Sequence, residues 1–360
     1  MRRATGVFSR AVTHGAASQI EVTAWLGTRN LGRVPVVGGS WSLTDSADEK
    51  VPGRFVFDVP NTRAWQPTRL EHPLAGKGHR FRVRVGVRPG GSDRVEWLQA
   101  GTFLADPPVD NGDVLQVTAS GMLKLVEESR LISPLRLRNN PTRRQAVTQL
   151  LQGILPFRIL GLADERIQPW TCERERLDGL REHLDAWPAR ITIDDLGVAL
   201  IRPPVDDDNP GPIVRTFTDG EGGTLMSCKI SRSTQAQFNA YRVANVPEND
   251  QDLRWSTWRL RQGNFRWGGP YGYRPGFYES PLLPADTWRL NRIAKTMTLR
   301  SQRRTDAYEI TAAPDVRVQP DDVVRVTSAA QGLDIMGRVV DVTHTWNSLA
   351  AKVSWISGVR

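Results

Sequence analysis

A glycine-rich segment is the first candidate for chemistry, because the backbone N–H groups of such segments can cradle a phosphate. Residues 218–224 read Thr-Asp-Gly-Glu-Gly-Gly-Thr. A phosphate site also needs a helix start and usually a lysine, whereas this segment carries two acids and lies between two predicted strands. The sequence therefore favours a β-turn at this position.

Carboxylates are the next candidates, since paired acids can hydrolyse glycosidic bonds or bind cations. Glu173 and Glu175 are too close in sequence to define the separation of two carboxyl groups across a substrate. Asp206, Asp207 and Asp208 lack further oxygen ligands at the fixed offsets of a calcium loop, which favours an exposed turn. We assign no catalytic residue.

Motifs for nucleophiles, metals and nucleotides are absent from the sequence. It contains no Gly-x-Ser-x-Gly, no His-Glu-x-x-His, no Walker loop and no dinucleotide fingerprint. Cys172 and Cys228 show no metal-ligand spacing, which fits a reducing compartment. We expect a protein that is not an enzyme and that has no metal and no cofactor. Five histidines are predicted to be structural: His14, His72, His79, His183 and His344.

The formal net charge is +9, from 48 Lys and Arg against 39 Asp and Glu. Such an excess favours a polyanionic partner, but the arginines are spread along the chain and interleaved with acids. Sequence-specific binding of nucleic acid is therefore not predicted. The chain has no signal peptide and no run of about 18 apolar residues, so we expect no stable membrane insertion.

Alternating apolar residues predict β-strands from Ile20 to Gly121. In the clearest strand the apolar residues from Phe81 to Val87 alternate with arginines, and a Pro-Gly-Gly turn leads into a return strand, which predicts a β-hairpin. Its arginine row is either a solvated face or a charged subunit interface, and both alternatives stay open. The row includes Arg80, Arg82 and Arg84.

The apolar spacing changes to three and four over residues 122–205, which predicts short helices in a small mixed domain. Pro141 and Thr142 are typical of a helix start, and a small hairpin is predicted around 194–197. The proline-rich stretch 203–212 is the best linker candidate. Strands are then predicted at 213–217, 225–230, 240–244, 294–299, 323–326, 338–342 and 352–355.

The most unusual segment, residues 251–290, is rich in aromatic residues and arginine, and we predict a long loop. A free loop of this length would lose too much conformational entropy, so we expect it to pack on a neighbouring domain or subunit. Such side chains also stack on bases, but an interface is favoured. The candidate interface residues are Arg80, Arg82, Arg84, Trp255, Trp258, Trp267, Tyr271, Tyr273, Phe277 and Tyr278.

The order of several motifs resembles that of tailed-phage tail proteins. Residues 21–25 (EVTAW) and 36–44 (VVGGSWSLT) look like the N-terminal domain of actinobacterial minor tail proteins, of the siphophage type. The later motifs look like the wider baseplate-hub, or tail-tip hub, family. They are FTDG at 217–220, FNAYRV at 238–243, PDVRVQPDDV at 314–323 and GRVVDVTH at 337–344. The usual Gly before the Asp of the last turn is Asp321 here.

The resemblance implies a mainly β, α+β fold with two tail-tube-like β-barrel domains. These would be residues 1–121 and residues 206–360, the latter with the aromatic loop, and the small α/β domain 122–205 would be inserted between them. Three copies would present six barrel-like units, adapting a sixfold tube to a threefold tip. The implied protein is a homotrimer.

The implied role is structural, at the distal end of a virion tail, after synthesis in the host cytoplasm. The hub would cap or continue the tail tube and anchor tip proteins. Its partners would be the distal tail or tube protein, the tape measure protein and tip fibres. Genomic DNA would pass without sequence recognition, and we expect few arginines to face the channel because an arginine-lined bore would retard DNA.

Two other classes of function stay open. A host-carbohydrate or receptor-binding tail module would explain the tryptophan-rich segment, since aromatic rings stack on sugars. A cell-wall hydrolase would need a cleft with convergent carboxylates.

Overall fold

In a computed structural model the protein is mainly β, as the sequence predicts, with a few short helices. The N-terminal part opens with helix α1 (Gly6–Thr13) and builds an antiparallel sheet in the order β3-β4-β8-β6-β5-β1-β2. The structure describes residues 1–13, 18–47, 49–76, 78–89, 93–205, 210–232, 238–246, 253–283, 286–302 and 306–355. The strands are β1 (Ser18–Leu26), β2 (Arg29–Val34), β3 (Trp41–Ser46), β4 (Arg54–Pro60), β5 (His79–Val87), β6 (Glu96–Ala105), β7 (Val109–Asp110) and β8 (Val114–Gly121).

The alternation of β5 produces the first hydrophobic core. Its apolar residues are buried and its arginines face outward, and β5 pairs with β6, which confirms the predicted hairpin. Phe55 and Phe57 of β4 stack with ring centroids 4.9 Å apart, and the ring of Phe81 meets Phe57 edge-on at 5.4 Å. Phe8 and Val12 of α1 pack onto the same core.

The middle part mixes short helices with two small sheets. Strand β13 lies between β10 and β12, and the β12–β13 pair is the hairpin predicted around 194–197. The elements are α2 (Lys124–Glu128), β9 (Leu135–Leu137), α3 (Arg143–Leu151), β10 (Phe157–Ile159), β11 (Trp170–Cys172), α4 (Arg176–Ala186), β12 (Arg190–Ile193) and β13 (Ala199–Arg202).

Thr142 caps the N-terminus of α3, at the helix start that the sequence predicts. Its hydroxyl accepts a hydrogen bond from the backbone N–H of Gln145 at 3.2 Å. Thr142→Ala should therefore lower the free energy of unfolding by about 1 kcal/mol, because a helix N–H loses its partner. Thr142→Ser keeps the capping oxygen and should cost much less. Chemical denaturation measures both variants, and equal losses would contradict the capping role.

The last part contains two corrections to the sequence interpretation. The strand predicted at 294–299 is wrong, because Leu290, Ile293 and Ala294 are buried along one face of a helix. Residues 251–290 are not one loop, since they contain two strands. The elements are β14 (Arg215–Thr218), β15 (Leu225–Arg232), β16 (Ala240–Asn245), β17 (Arg254–Arg259), β18 (Pro275–Glu279), α5 (Thr287–Gln302), β19 (Asp306–Ala312), β20 (Val323–Ser328), β21 (Leu333–Thr345) and β22 (Leu349–Trp355).

One large sheet joins the two ends of the chain. Strand β21 pairs with β3, from Asp341 opposite Ser46 to Thr345 opposite Ser42, so the N-terminal strands continue into β21, β22, β19 and β15. This path is open from β15 to β2, and no closed barrel is found within the described residues.

Three hydrophobic cores organise the packing. One belongs to the N-terminal strands and one to the C-terminal strands. The third contains the middle helices together with Val243 of β16 and Leu290 and Ile293 of α5. Side chains of β16, β17, β18 and α5 thus share a core with the middle helices. The boundaries at 121 and 205 stay a prediction from the sequence.

His183 and His344 are buried, and burial favours the neutral form of each imidazole. His183 has no exposed surface and lies 4.2 Å from the ring of Trp170, while His344 donates from Nε2 to the carbonyl oxygen of Val318 at 3.0 Å. Burial lowers the pKa of each imidazole to about 3, aided by the charge of Arg143 near His183 and of Arg2 near His344. Both therefore fit the predicted structural role.

The depressed pKa values predict a loss of stability in acid. A neutral buried imidazole contributes stability that is present above its unfolded pKa of about 6.5 and is lost as pH falls. Between pH 7 and pH 5, each of the two histidines should lower the free energy of unfolding by about 2 kcal/mol. Burial raises the pKa of Asp45 to about 6, so the pKa of this carboxyl makes the fold more stable as the pH falls and opposes the effect of the histidines. Single-residue variants therefore separate the two contributions.

His344→Gln should reduce the fall in unfolding free energy between pH 7 and 5 by about 2 kcal/mol. The matched control is His72→Gln, because His72 is only half-buried. Denaturant titrations at both pH values measure the difference. An unchanged pH dependence in the His344 variant would contradict the assignment.

Candidate subunit interface

The aromatic segment is built into the three-stranded sheet β17-β16-β18. Strand β16 runs antiparallel to β17 and parallel to β18, with Ala244 opposite Trp255 and Arg242 opposite Phe277. Because paired residues share a face and neighbours alternate, Arg242, Trp255 and Phe277 lie on one face. Trp258 and Tyr278 lie on the other.

The inner face of this sheet packs against the middle core. Tyr241, Trp258 and Tyr278 contact that core, which also contains Leu290 and Ile293 of α5. Burial raises the pKa of Tyr278 well above its usual range, aided by the charges of two nearby acids. Trp258 and Tyr278 thus stabilise the fold of their own chain.

The outer face exposes large apolar side chains. Trp255, Tyr273 and Phe277 are 53%, 69% and 64% exposed. The guanidinium of Arg242 lies 5.0 Å from the ring centre of Trp255, and the rings of Trp267 and Tyr273 meet edge-on at 5.0 Å. Exposed aromatic side chains grouped in this way are typical of candidate interaction sites. We call this outer face the aromatic face.

Asn239 orders the loop between β17 and β18. It is fully buried, its side-chain amide donates to the carbonyl oxygen of Gly272 at 2.9 Å, and its Oδ1 accepts from the backbone N–H of Arg274 at 3.0 Å. The guanidinium of Arg274 in turn lies 4.3 Å from the ring centre of Tyr271. These contacts fix the conformation of the loop that carries Tyr271 and Tyr273.

The arginine row lies on β5 of the large sheet, whereas the aromatic face belongs to the small sheet. Arg80 is half-buried, and Arg82 and Arg84 are exposed. Arg82 lies over the ring of Trp25 at 4.0 Å, and Nε of Arg84 donates to Oε1 of Glu21 at 2.9 Å. Arg82 and Arg84 thus already contact residues of their own chain. The role of the arginine row as a subunit interface stays a prediction.

Three residues of the aromatic face and its surroundings were not among the candidates from the sequence. They are Asn239, Arg242 and Trp288, which is 68% exposed at the start of α5. Alternation in β16 signals Arg242, since Tyr241 and Val243 point inward and their neighbour must point outward. No comparable local signal identifies Asn239.

The other candidate sites have structural explanations where the structure describes them. Residues 218–224 turn between β14 and β15, with the N–H of Gly223 donating to the carbonyl oxygen of Gly220 at 3.0 Å. Cys172 and Cys228 are buried free thiols. Asp206, Asp207 and Asp208 lie outside the described residues, as does His14.

A search of the described residues finds no group of three or more His, Cys, Asp or Glu side chains placed to hold a metal ion. None of the helices in that part of the chain has the length and apolar character needed to span a membrane.

Comparison with known proteins gives the class of fold. No family model matches the chain, and no curated protein matches it in sequence. Solved structures match over nearly the whole chain. The tail protein from Neisseria meningitidis MC58 has a TM-score of 0.65 at 11% identity, with 93% of this chain and 96% of that chain covered.

Two further tail proteins show the same likeness. The 43 kDa tail protein of prophage MuSo2 from Shewanella oneidensis has a TM-score of 0.61 at 13% identity, covering 93% of this chain and 98% of its own. A prophage tail protein from Listeria monocytogenes EGD-e has a TM-score of 0.60 at 11% identity, covering 93% and 94%. The chain therefore has the fold of phage tail proteins.

Proposed function

We propose that the protein is a structural subunit of a phage tail or tail-like particle, forming the hub at the distal end of the tail. The observation that carries this proposal is the whole-chain fold shared with three tail proteins at TM-scores of 0.60 to 0.65. The hub would cap or continue the tube, anchor tip proteins and let DNA pass without sequence recognition. Its work would be mechanical, with no bond made or broken.

A ring of three copies would account for the open sheet. Strands β2 and β15 end the main path of the large sheet, and open strand edges tend to pair with other chains. Met226 of β15 is 66% exposed, which supports contact with a neighbour at that end. Closure of tube-like barrels would then use strands of adjacent copies. In a cyclic ring each open strand edge would pair with a strand edge of the next copy.

The aromatic face supplies the second contact in this proposal. Its exposed Trp255 and Phe277, flanked by arginines, match the composition of interface hot spots. Host-carbohydrate binding stays the alternative, because the exposed rings of Trp255 and Tyr273 could stack on sugars. Binding of purified chain to immobilised host polysaccharide would favour that alternative, and its absence would favour the subunit contact.

Sedimentation velocity on the purified protein tests the ring. We expect a species with three times the 40.2 kDa mass of the chain at micromolar concentration. A monomer at concentrations that support tail assembly would contradict the trimer. Retention of the monomer in purified tails would then point to a peripheral position.

A further inference from the structure

An open cleft of about 1770 Å³ lies where the three cores meet. Its walls come from β6, from β12 and the turn that follows, from residues 319–323 and from β21. Pockets for small molecules measure roughly 300 to 1,000 Å³, so this cleft is large for such a ligand. The size suits a segment of polypeptide.

The edge of β12 faces this cleft. All four residues from Arg190 to Ile193 line the cleft and are half-buried, so the strand presents its edge and not one face. Within the described residues β12 pairs only with β13. Its other edge has no strand beside it there.

The hydrogen-bond pattern shows which backbone groups point into the cleft. The N–H of Asp194 donates to the carbonyl oxygen of Val198 across the hairpin at 2.9 Å. Because bonded and non-bonded pairs alternate in an antiparallel ladder, Thr192 bonds to β13, and Ile191 and Ile193 direct their N–H and C=O groups to the free edge. On β13 the opposite residue Ala199 accordingly donates to Pro156, at 2.8 Å.

The facing wall is also a strand edge. Residues 97–103 of β6 all line the cleft, and the paired residues before Phe103 lie opposite β5 alone, with Ala100 as an unpaired residue at a β-bulge. The carbonyl oxygen of Ala100 faces away from β5 and accepts from Nη2 of Arg2 at 2.8 Å. Two strand edges thus border one space.

Ion pairs and hydrogen bonds connect the walls of the cleft. Nε of Arg2 pairs with Asp195 at 2.7 Å, and Nη1 donates to the carbonyl oxygen of Val316 at 2.6 Å, so one side chain links three parts of the fold. Asp321 pairs with Arg190 and with Arg202 of the hairpin. The cleft is therefore formed before a ligand enters, which lowers the cost of binding.

We propose that this cleft binds an extended segment of another polypeptide, which adds as a strand to the free edge of β12. Strand addition satisfies backbone donors and acceptors such as those of Ile191 and Ile193. The lining contains eight Lys or Arg and eight Asp or Glu residues, and this balance disfavours a polyanion such as nucleic acid. The inference goes beyond the proposed hub role and does not depend on it.

The test begins with a displayed library of random twelve-residue peptides selected against the full chain. The most enriched peptide is synthesised, and amide hydrogen exchange is measured with and without it. We expect exchange at Ile191 and Ile193 to slow by about tenfold or more, while Thr192, already bonded to β13, stays unchanged. Enrichment of no peptide, or protection confined to other surfaces, would overturn the proposal.

A backbone variant gives the second readout. Ile193→Pro removes the edge N–H, and Ile193→Ala is the matched control that shortens the side chain but keeps the N–H. Proline should weaken peptide binding by about tenfold relative to alanine. Equal binding would overturn the proposal, as would a doubling of the mass through β12 pairing between two copies. If the proline variant does not fold, the exchange measurement decides.

Discussion

The double variant Trp255→Ala/Phe277→Ala should be a folded monomer that no longer assembles. Both side chains are more than half exposed and lie on one face of a sheet whose other face is packed. Hot-spot residues each contribute about 2 kcal/mol or more to association, so the pair should weaken self-association by about a thousandfold. Sedimentation equilibrium over a wide concentration range measures this shift.

The control for the aromatic face is Trp346→Ala. Trp346 is 50% exposed but follows β21 in the large sheet, away from β17 and β18 in the topology. It should leave association unchanged. A double variant that associates as tightly as the wild type would exclude the aromatic face as a subunit contact, while unchanged circular dichroism ensures that both variants are folded.

The second large effect concerns stability. Phe57→Ala should lower the free energy of unfolding by about 4 kcal/mol, because it leaves a cavity in the first core. Phe57 is fully buried between Phe55 and Phe81, with ring centroids 4.9 and 5.4 Å away. Denaturant titration of the monomeric double-variant background separates this loss from any effect of association.

Phe277→Ala is the matched control for Phe57, since it deletes the same atoms from an exposed position. Its effect is read by comparing the double variant with Trp255→Ala alone, at concentrations where both are monomeric. It should change the unfolding free energy by less than about 0.5 kcal/mol. A similar loss of unfolding free energy in the two variants would contradict the burial of Phe57 and the exposure of Phe277.

Local signals in the sequence predicted local structure. The β5–β6 hairpin follows from strict alternation and a glycine turn, and the α3 start at Thr142 follows from proline and a capping hydroxyl. Each of these signals depends on residues a few positions apart. The β12–β13 hairpin has the same origin.

Long-range pairing could not be predicted in this way. Strand β21 joins β3 across almost 300 residues of chain, and no periodicity within either strand specifies its neighbour. The sequence does not distinguish helix α5 from a strand, because Ala294, Met297 and Leu299 also fit a short strand. The burial of Leu290 and Ile293 reveals the helical face.

In the aromatic face, too, local sequence signals predict some features and long-range contacts determine the others. Once β17 and β18 are recognised as strands, alternation assigns Trp255 outward and Trp258 inward. The composition of residues 251–290 predicts a loop and does not reveal these strands, so their faces follow only from the structure. The role of Asn239 depends on the loop folding back over 30 residues, so only the structure reveals it.

Immunogold electron microscopy of intact particles tests the central claim most directly. Antibody raised against the full chain should label the distal end of the tail. Label confined to the head, or spread along the length of the tail tube, would contradict a hub at the tip.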